Sequence, residues 1–142
     1  MATKTYDPAK FHLSIGGVPI SGYAPDTFIS AERAENGFTT QVGASGEVTR
    51  TRNNNRTGTV TVTLMASSLS NDVLNAYAQL DELSSTGIFV LSGFEFNGTS
   101  SLLAENAWVE KLPQTQRAKE LGQVEWVIAC ADLAINTGGL VI

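Results

Sequence analysis

The stretch Thr57-Gly-Thr-Val-Thr-Val-Thr-Leu64 constrains the fold more than any other part of the chain. Thr57, Thr59, Thr61 and Thr63 fall on one side of a two-residue period, and Val60, Val62 and Leu64 on the other. Successive side chains of a strand point to opposite faces, so this segment has one wet face and one dry face. Its β-branched residues fit a pleated, half-buried surface. Composition extends the reading to the whole chain. Threonine (15), glycine (13), serine (12) and asparagine (9) dominate the 142 residues, and only 16% are charged. Turn-rich β proteins have this composition.

Other segments supply more strands. Phe11-His-Leu-Ser-Ile15 alternates, Gly16-Gly17 is a two-residue turn signal, and Val18–Ser21 returns. Pro19 lacks an N–H, so that return strand belongs near an edge. Thr27–Ala34 and Phe38–Val42 read as strands around an Asn36-Gly37 turn. Glu47–Met65 reads as one long hairpin with Asn53-Asn54-Asn55-Arg56 at its tip. Phe89–Leu112 reads as a second hairpin around Asn97-Gly98, and Gly122–Ile135 as a central strand apolar on both sides.

Ser68–Gly87 is the one helical stretch: Leu69, Val73, Leu74, Tyr77, Leu80 and Leu83 share a stripe at helical spacing, with the opposite face polar. Ser70 suits an N-cap, Leu69 and Leu74 a hydrophobic staple, and Gly87 a C′ residue. The expected architecture is a mainly β, antiparallel sandwich or partly closed barrel with one flanking α-helix. We read residues 1–142 as a single domain, with a loose arm over 1–10 and a tail over 136–142.

Chemistry is excluded mostly by residue type. The single histidine, His12, lies on a wet strand face, and the single cysteine, Cys130, among apolar neighbours. Neither suits a nucleophile–base pair, a disulfide or a cysteine-based zinc cluster. The chain has no phosphate-cradling glycine motif, and no catalytic, cofactor or metal site is expected. The net charge of −5 disfavours a phosphate-gripping groove. The longest apolar run is Trp126–Ala131, far short of a membrane span, so no membrane partner is expected. The first ten residues carry no apolar core of a secretory signal.

Two features point to self-assembly. Three of the five arginines, Arg50, Arg52 and Arg56, cluster within seven residues. Such a cluster is either a solvated loop that happens to be basic or a patch that meets an acidic surface on another copy, and a heterologous contact of that kind builds rings or filaments. The long hairpin also leaves unpaired strand edges that its uncharged threonines do little to protect. Pairing between copies would remove those edges by closing a large barrel.

Gly43-Ala-Ser-Gly-Glu-Val48, then Arg56-Thr-Gly-Thr-Val-Thr-Val-Thr-Leu64, the amphipathic helix and Gln123-Val-Glu-Trp126 together resemble the tail tube proteins of contractile-tailed bacteriophages. The resemblance covers nearly the whole chain in element order. It implies a structural virion protein, assembled in the host cytoplasm, whose hexameric rings stack helically into a hollow tube. It further implies long hairpins that close an inner β-barrel, a sheath protein outside, and a tape measure protein and DNA inside without specific binding. On that reading Arg50, Arg52, Asn53, Asn54, Asn55 and Arg56 make subunit or ring-to-ring contacts, as do Leu140, Val141 and Ile142 of the tail. Thr57, Thr59, Thr61 and Thr63 are the candidate lumen face. The competing readings are the tube of a related injection or secretion system, and a soluble β-sandwich binding module.

Overall fold

Val60, Val62 and Leu64 are fully buried, while Thr59, Thr61 and Thr63 are half-buried on the opposite face, so the two-residue alternation does split into a dry and a wet side. The structure, a computed structural model, describes residues 3–140. Its elements in chain order are β1 (Phe11–Ile15), β2 (Val18–Pro19), β3 (Ile29–Arg33), β4 (Phe38–Val42), β5 (Val48–Arg52), β6 (Gly58–Met65), α1 (Ser70–Ser84), β7 (Phe89–Glu95), β8 (Ser101–Lys111), β9 (Gln123–Cys130) and β10 (Leu133–Asn136). All strand pairings are antiparallel.

One eight-stranded sheet runs β2-β1-β7-β8-β9-β6-β3, with β10 also paired to β8. The sheet curves around a single core without closing. Leu13 and Ile15 from β1, Leu91 from β7, Val60, Val62 and Leu64 from β6, and Trp126 and Ile128 from β9 all enter that core. Pro19 sits in the two-residue strand at one end of the sheet, where its missing N–H costs no ladder bond. Gly16 and Gly17 both adopt positive φ, 58° and 83°, which the tight turn between β1 and β2 requires. β7 and β8 form the expected hairpin around Asn97-Gly98.

The long hairpin differs from the sequence reading. β5 does not run on into β6 as its partner across an Asn-rich tip. It pairs back onto β4, with Val42 opposite Val48 and Phe38 opposite Arg52. The turn is at residues 43–47, where the Gly43 N–H donates to the Glu47 carbonyl at 2.7 Å and Gly46 takes φ 88°. β3 and β4 are therefore consecutive pieces of one arm, and β5 and β6 of the other; Asn36-Gly37 is not a hairpin turn. β3/β6 belongs to the main sheet and β4/β5 is a separate two-stranded ribbon. Residues 53–57 lie at the break between the two parts. Asparagine and glycine both suit turns, but only the Gly43–Gly46 segment supplies a positive-φ glycine where the chain reverses.

The helix differs too. Ser70 lies inside α1, buried, and its Oγ accepts from the Ser21 N–H at 3.0 Å. The Ser68 hydroxyl does the capping work, accepting from the Ser70 N–H at 3.2 Å. Leu69 is 81% exposed and does not staple onto buried Leu74. The left-handed residue at the C-terminus is Ser85, φ 57°. Gly87 is needed for a different reason: a Cβ there would collide with the Tyr77 carbonyl. Leu74 and Ala78 enter the core, and Trp126 Nε1 reaches across to Asn71 Oδ1 at 2.9 Å. β9 lies between β6 and β8, yet its second face, with Val127 and Ala129, is only half-buried rather than covered.

Truncating Leu64 to Ala is expected to cost about 2–5 kcal/mol in urea unfolding, because it opens a cavity in this core. Thr61→Ala, on the other face of the same strand, is expected to cost about 1 kcal/mol or less. Equal costs would contradict the alternation.

Candidate assembly surfaces

The β4/β5 ribbon has two unlike faces. Phe38, Thr40 and Val42 share one with Val48, Arg50 and Arg52; Thr39, Gln41, Thr49 and Thr51 share the other. Every one of its ten residues is exposed. Phe38, Val42 and Val48 are 47%, 63% and 68% accessible. The Arg50 guanidinium stacks 4.5 Å above the Phe38 ring, an exposed cation–π contact. An isolated two-stranded hairpin is marginal in water, and none of this one's residues is buried on its own body. Its Phe–Val side is an apolar surface framed by two arginines. Charge clustering singles out the arginines and passes over Phe38, Val42 and Val48, whose period-two placement was the available signal.

The Asn-rich segment is an elbow, not a tip. Asn53 Oδ1 accepts from the Asn55 N–H at 3.0 Å, and Asn55 Oδ1 accepts from the Thr57 N–H at 3.1 Å and the Thr57 hydroxyl at 2.8 Å. These are successive Asx turns, in which side chains replace ladder bonds. Asn53 Nδ2 donates to Glu35 Oε2 at 2.6 Å, tying the two arms together across the break. That bond, reinforced by Asn55, holds the Glu35 carboxyl below the usual carboxylate range. The Asn53 N–H also donates to the Gly37 carbonyl at 2.8 Å, and the Ala34 N–H to the Thr57 carbonyl at 3.0 Å. Thr57 thus belongs to the elbow, while Thr59, Thr61 and Thr63 form the strand stripe.

The arginines do not converge at one point. Arg50 lies out on the ribbon. Arg56 Nε bonds Asp132 Oδ1 at 2.8 Å on the body, and Arg33 Nε donates to the Leu133 carbonyl at 3.0 Å. Arg52 and Arg56, with Arg33, line a hollow of about 110 Å³ at the elbow. Arg33 was not singled out from sequence.

The threonine stripe continues across neighbouring strands. Register places Ser30 and Glu32 of β3 beside Thr61 and Thr59, and Glu125, Val127 and Ala129 of β9 beside Thr63, Thr61 and Thr59. Trp108 follows beside Ala129. It is only half-buried and lies on this outer face.

His12 is exposed, its ring 4.2 Å from that of Phe96. Cys130 is buried, and desolvation pushes its thiol up to about 11. A thiol so disposed is inert. At the C-terminal end Leu140 bridges to Gly98 of the same chain, and the Lys4 ammonium donates to its carbonyl at 2.9 Å. Val141 and Ile142 lie outside the described residues. Among the described residues no helix is long and apolar enough to cross a membrane.

The model of the bacteriophage PhiTE tail tube protein family covers residues 14–138. The chain belongs to that family. A structural protein, ORF10 of Pseudomonas phage KPP10, is 30% identical over 145 residues, spanning 96% of this chain and 84% of that protein. Three cryo-EM structures share the fold. The tube-terminating cap of the anti-feeding prophage aligns with a TM-score of 0.67 at 13% identity, over 96% of this chain and 94% of that one. The sheath/tube terminator of an extracellular contractile injection system (PVC) aligns at 0.68 and 10% identity, over 96% and 100%. The sheath–tube complex of that system aligns at 0.63 and 10% identity, over 93% and 91%. This tail tube family member is a structural component of the tail.

Asn53→Ala is expected to raise the Glu35 pKa back toward its ordinary value, because the bond that favours the carboxylate is lost. A carbon-detected NMR titration reads this; an unchanged pKa would show that the elbow bond does not form in solution. Cys130 is expected to react with a thiol reagent at pH 8 only after denaturant is added, and fast labelling of the folded chain would contradict its burial.

Proposed function

We infer that copies of this chain form rings stacked into the tail's inner tube, and that the β4/β5 ribbon is the element that joins them. One observation carries the reading: a two-stranded ribbon presents Phe38, Val42 and Val48 to water on a chain that offers them no cover. Burying such side chains contributes roughly 1.5–3 kcal/mol each. A neighbouring copy would supply the cover, with Arg50 and Arg52 meeting its acidic surface. The chain outside the 50–56 cluster carries 14 acids against 6 bases, so acidic ground is abundant.

The rings would be hexameric, with strands from six copies closing a continuous inner barrel around the lumen. The Thr59–Thr61–Thr63 face, with Ser30, Glu32 and Glu125 beside it, suits that wall. DNA passes most freely where few cations neutralise phosphates, since each such contact adds affinity. A tape measure protein would occupy the lumen before ejection, and a sheath protein would enclose the tube. Assembly would take place in the host cytoplasm. No step needs catalysis; the role is mechanical. The Asn53–Asn55 elbow would set the angle at which the ribbon leaves the body, so these residues act on assembly through position rather than contact.

Negative-stain microscopy and sedimentation test the reading. The wild-type chain is expected to give rings or tubes with a central hole. Val42→Asp with Val48→Asp is expected to leave a folded 15 kDa monomer, unchanged by circular dichroism, that does not assemble. A wild-type protein that stays monomeric at high concentration, or tubes formed equally well by the double variant, would refute it.

A further inference from the structure

Arg33, Arg52 and Arg56 line one small hollow at the elbow, with Phe38 and Asn54 beside them. They come from both sides of the joint. Arg33 closes β3 and Arg56 precedes β6, so both belong to the body; Arg52 closes β5 and belongs to the ribbon. The two body arginines are held from behind. Arg33 donates through Nε to the Leu133 carbonyl at 3.0 Å, and Arg56 through Nε to Asp132 Oδ1 at 2.8 Å. A guanidinium carries five N–H donors in a planar fork, and each of these bonds uses one. Among the described residues the terminal nitrogens of Arg33 and Arg56 make no further hydrogen bond. Arg56–Asp132 is the one ion pair among those residues, so Arg33 and Arg52 have no carboxylate of their own.

Two acids stand nearby, and neither lines the hollow. Asp132 faces Arg56 from the β9–β10 corner, and Glu35 accepts from Asn53 at 2.6 Å. Three guanidiniums against two carboxylates leave positive charge uncompensated, and a bound anion would relieve the repulsion among the cations. The chemistry of the lining selects the anion. Arginine forks match carboxylate and phosphate oxygens two bonds at a time, and such charge-assisted bonds are the strong ones. At about 110 Å³ the hollow suits one group of that size, not a nucleotide or a length of peptide.

We propose that the elbow hollow is an oxyanion site, and that the bound group locks the ribbon to the body by bridging Arg52 to Arg33 and Arg56. The Asx turns and the Asn53–Glu35 bond set the joint from within the chain; the anion adds a second cross-link between its two sides. A carboxylate side chain of a neighbouring copy and free inorganic phosphate offer the same oxygens to the same forks. The site lies within one chain, so the inference does not rest on the tube reading.

The test adds inorganic phosphate to the dispersed full-length chain at constant ionic strength and follows the arginine Nε–H signals by NMR. Saturable shifts with one shared dissociation constant are expected at Arg33, Arg52 and Arg56, and none at Arg117, which lies in the β8–β9 loop. Arg52→Gln, at an exposed position, is expected to weaken binding about ten-fold or more. Arg117→Gln removes the same charge elsewhere and is expected to leave binding unchanged. Shifts that do not saturate, equal losses in the two variants, or shifts at the body arginines without Arg52 would overturn the proposal. Sedimented tubes grown without phosphate identify the source of the anion. Tubes that no longer bind phosphate carry a neighbour's carboxylate in the site, and tubes that bind it as the dispersed chain does take the free ion; either result upholds the site. A chain that makes no tubes ends the tube reading and leaves the outcome with the dispersed chain.

Discussion

A β-ribbon whose ten residues are all exposed draws little stability from the chain that carries it. Ladder bonds between β4 and β5 hold the ribbon's backbone, but fixing ten residues in extended form costs conformational entropy on the order of 1–2 kcal/mol each. Hydrophobic burial ordinarily offsets that cost, and here Phe38, Val42 and Val48 are left in water. The remaining architecture follows from this imbalance. The main sheet is a self-sufficient body, with its helix and a core in which Val60, Val62, Leu64 and Ile128 are wholly enclosed. The ribbon is a projection with every residue exposed, and on the proposed function a neighbouring copy supplies its stabilising surface.

The elbow connects the two. A continuous pair of strands through residues 53–57 would extend the main sheet; a flexible linker would let the ribbon swing. The Asx turns at Asn53 and Asn55, and the Asn53–Glu35 bond at 2.6 Å, do neither. They interrupt the ladder while keeping the arms registered. Arg56 with Asp132, and Arg33 with the Leu133 carbonyl, anchor the body side of the joint to the β9–β10 corner. The exposed ion pair contributes little to stability, so its value is geometric.

Much of this was legible in the residues. The Thr/Val alternation of β6, the β7/β8 hairpin around Asn97-Gly98, the edge position of Pro19 and the presence of one helix all follow from local pattern, because each feature is decided within a few residues. What misled was competition between equal signals. Gly43–Gly46 and Asn53–Asn55 are both turn sequences, and only long-range pairing of β5 with β4 decides which one reverses the chain. In α1 the intervals of 3.5 and 3.6 residues are so close over fifteen positions that two stripes merged into one. Trp108, beside Ala129, shows the same limit, because an apolar outer face and a core face read alike on a strand. These differences fall on the ribbon, the outer stripe of α1 (Leu69, Leu80 and Leu83) and the outer sheet face, where apolar side chains stay exposed or half-buried.

Amide hydrogen exchange, followed in the dispersed monomer and in sedimented tubes, addresses the central claim most directly. The account predicts that amides of residues 38–42 and 48–52 exchange fast in the monomer and become strongly protected in the tube, while those of β6 and β9 are protected in both. Ribbon amides already protected in the monomer, or unchanged on assembly, would contradict it.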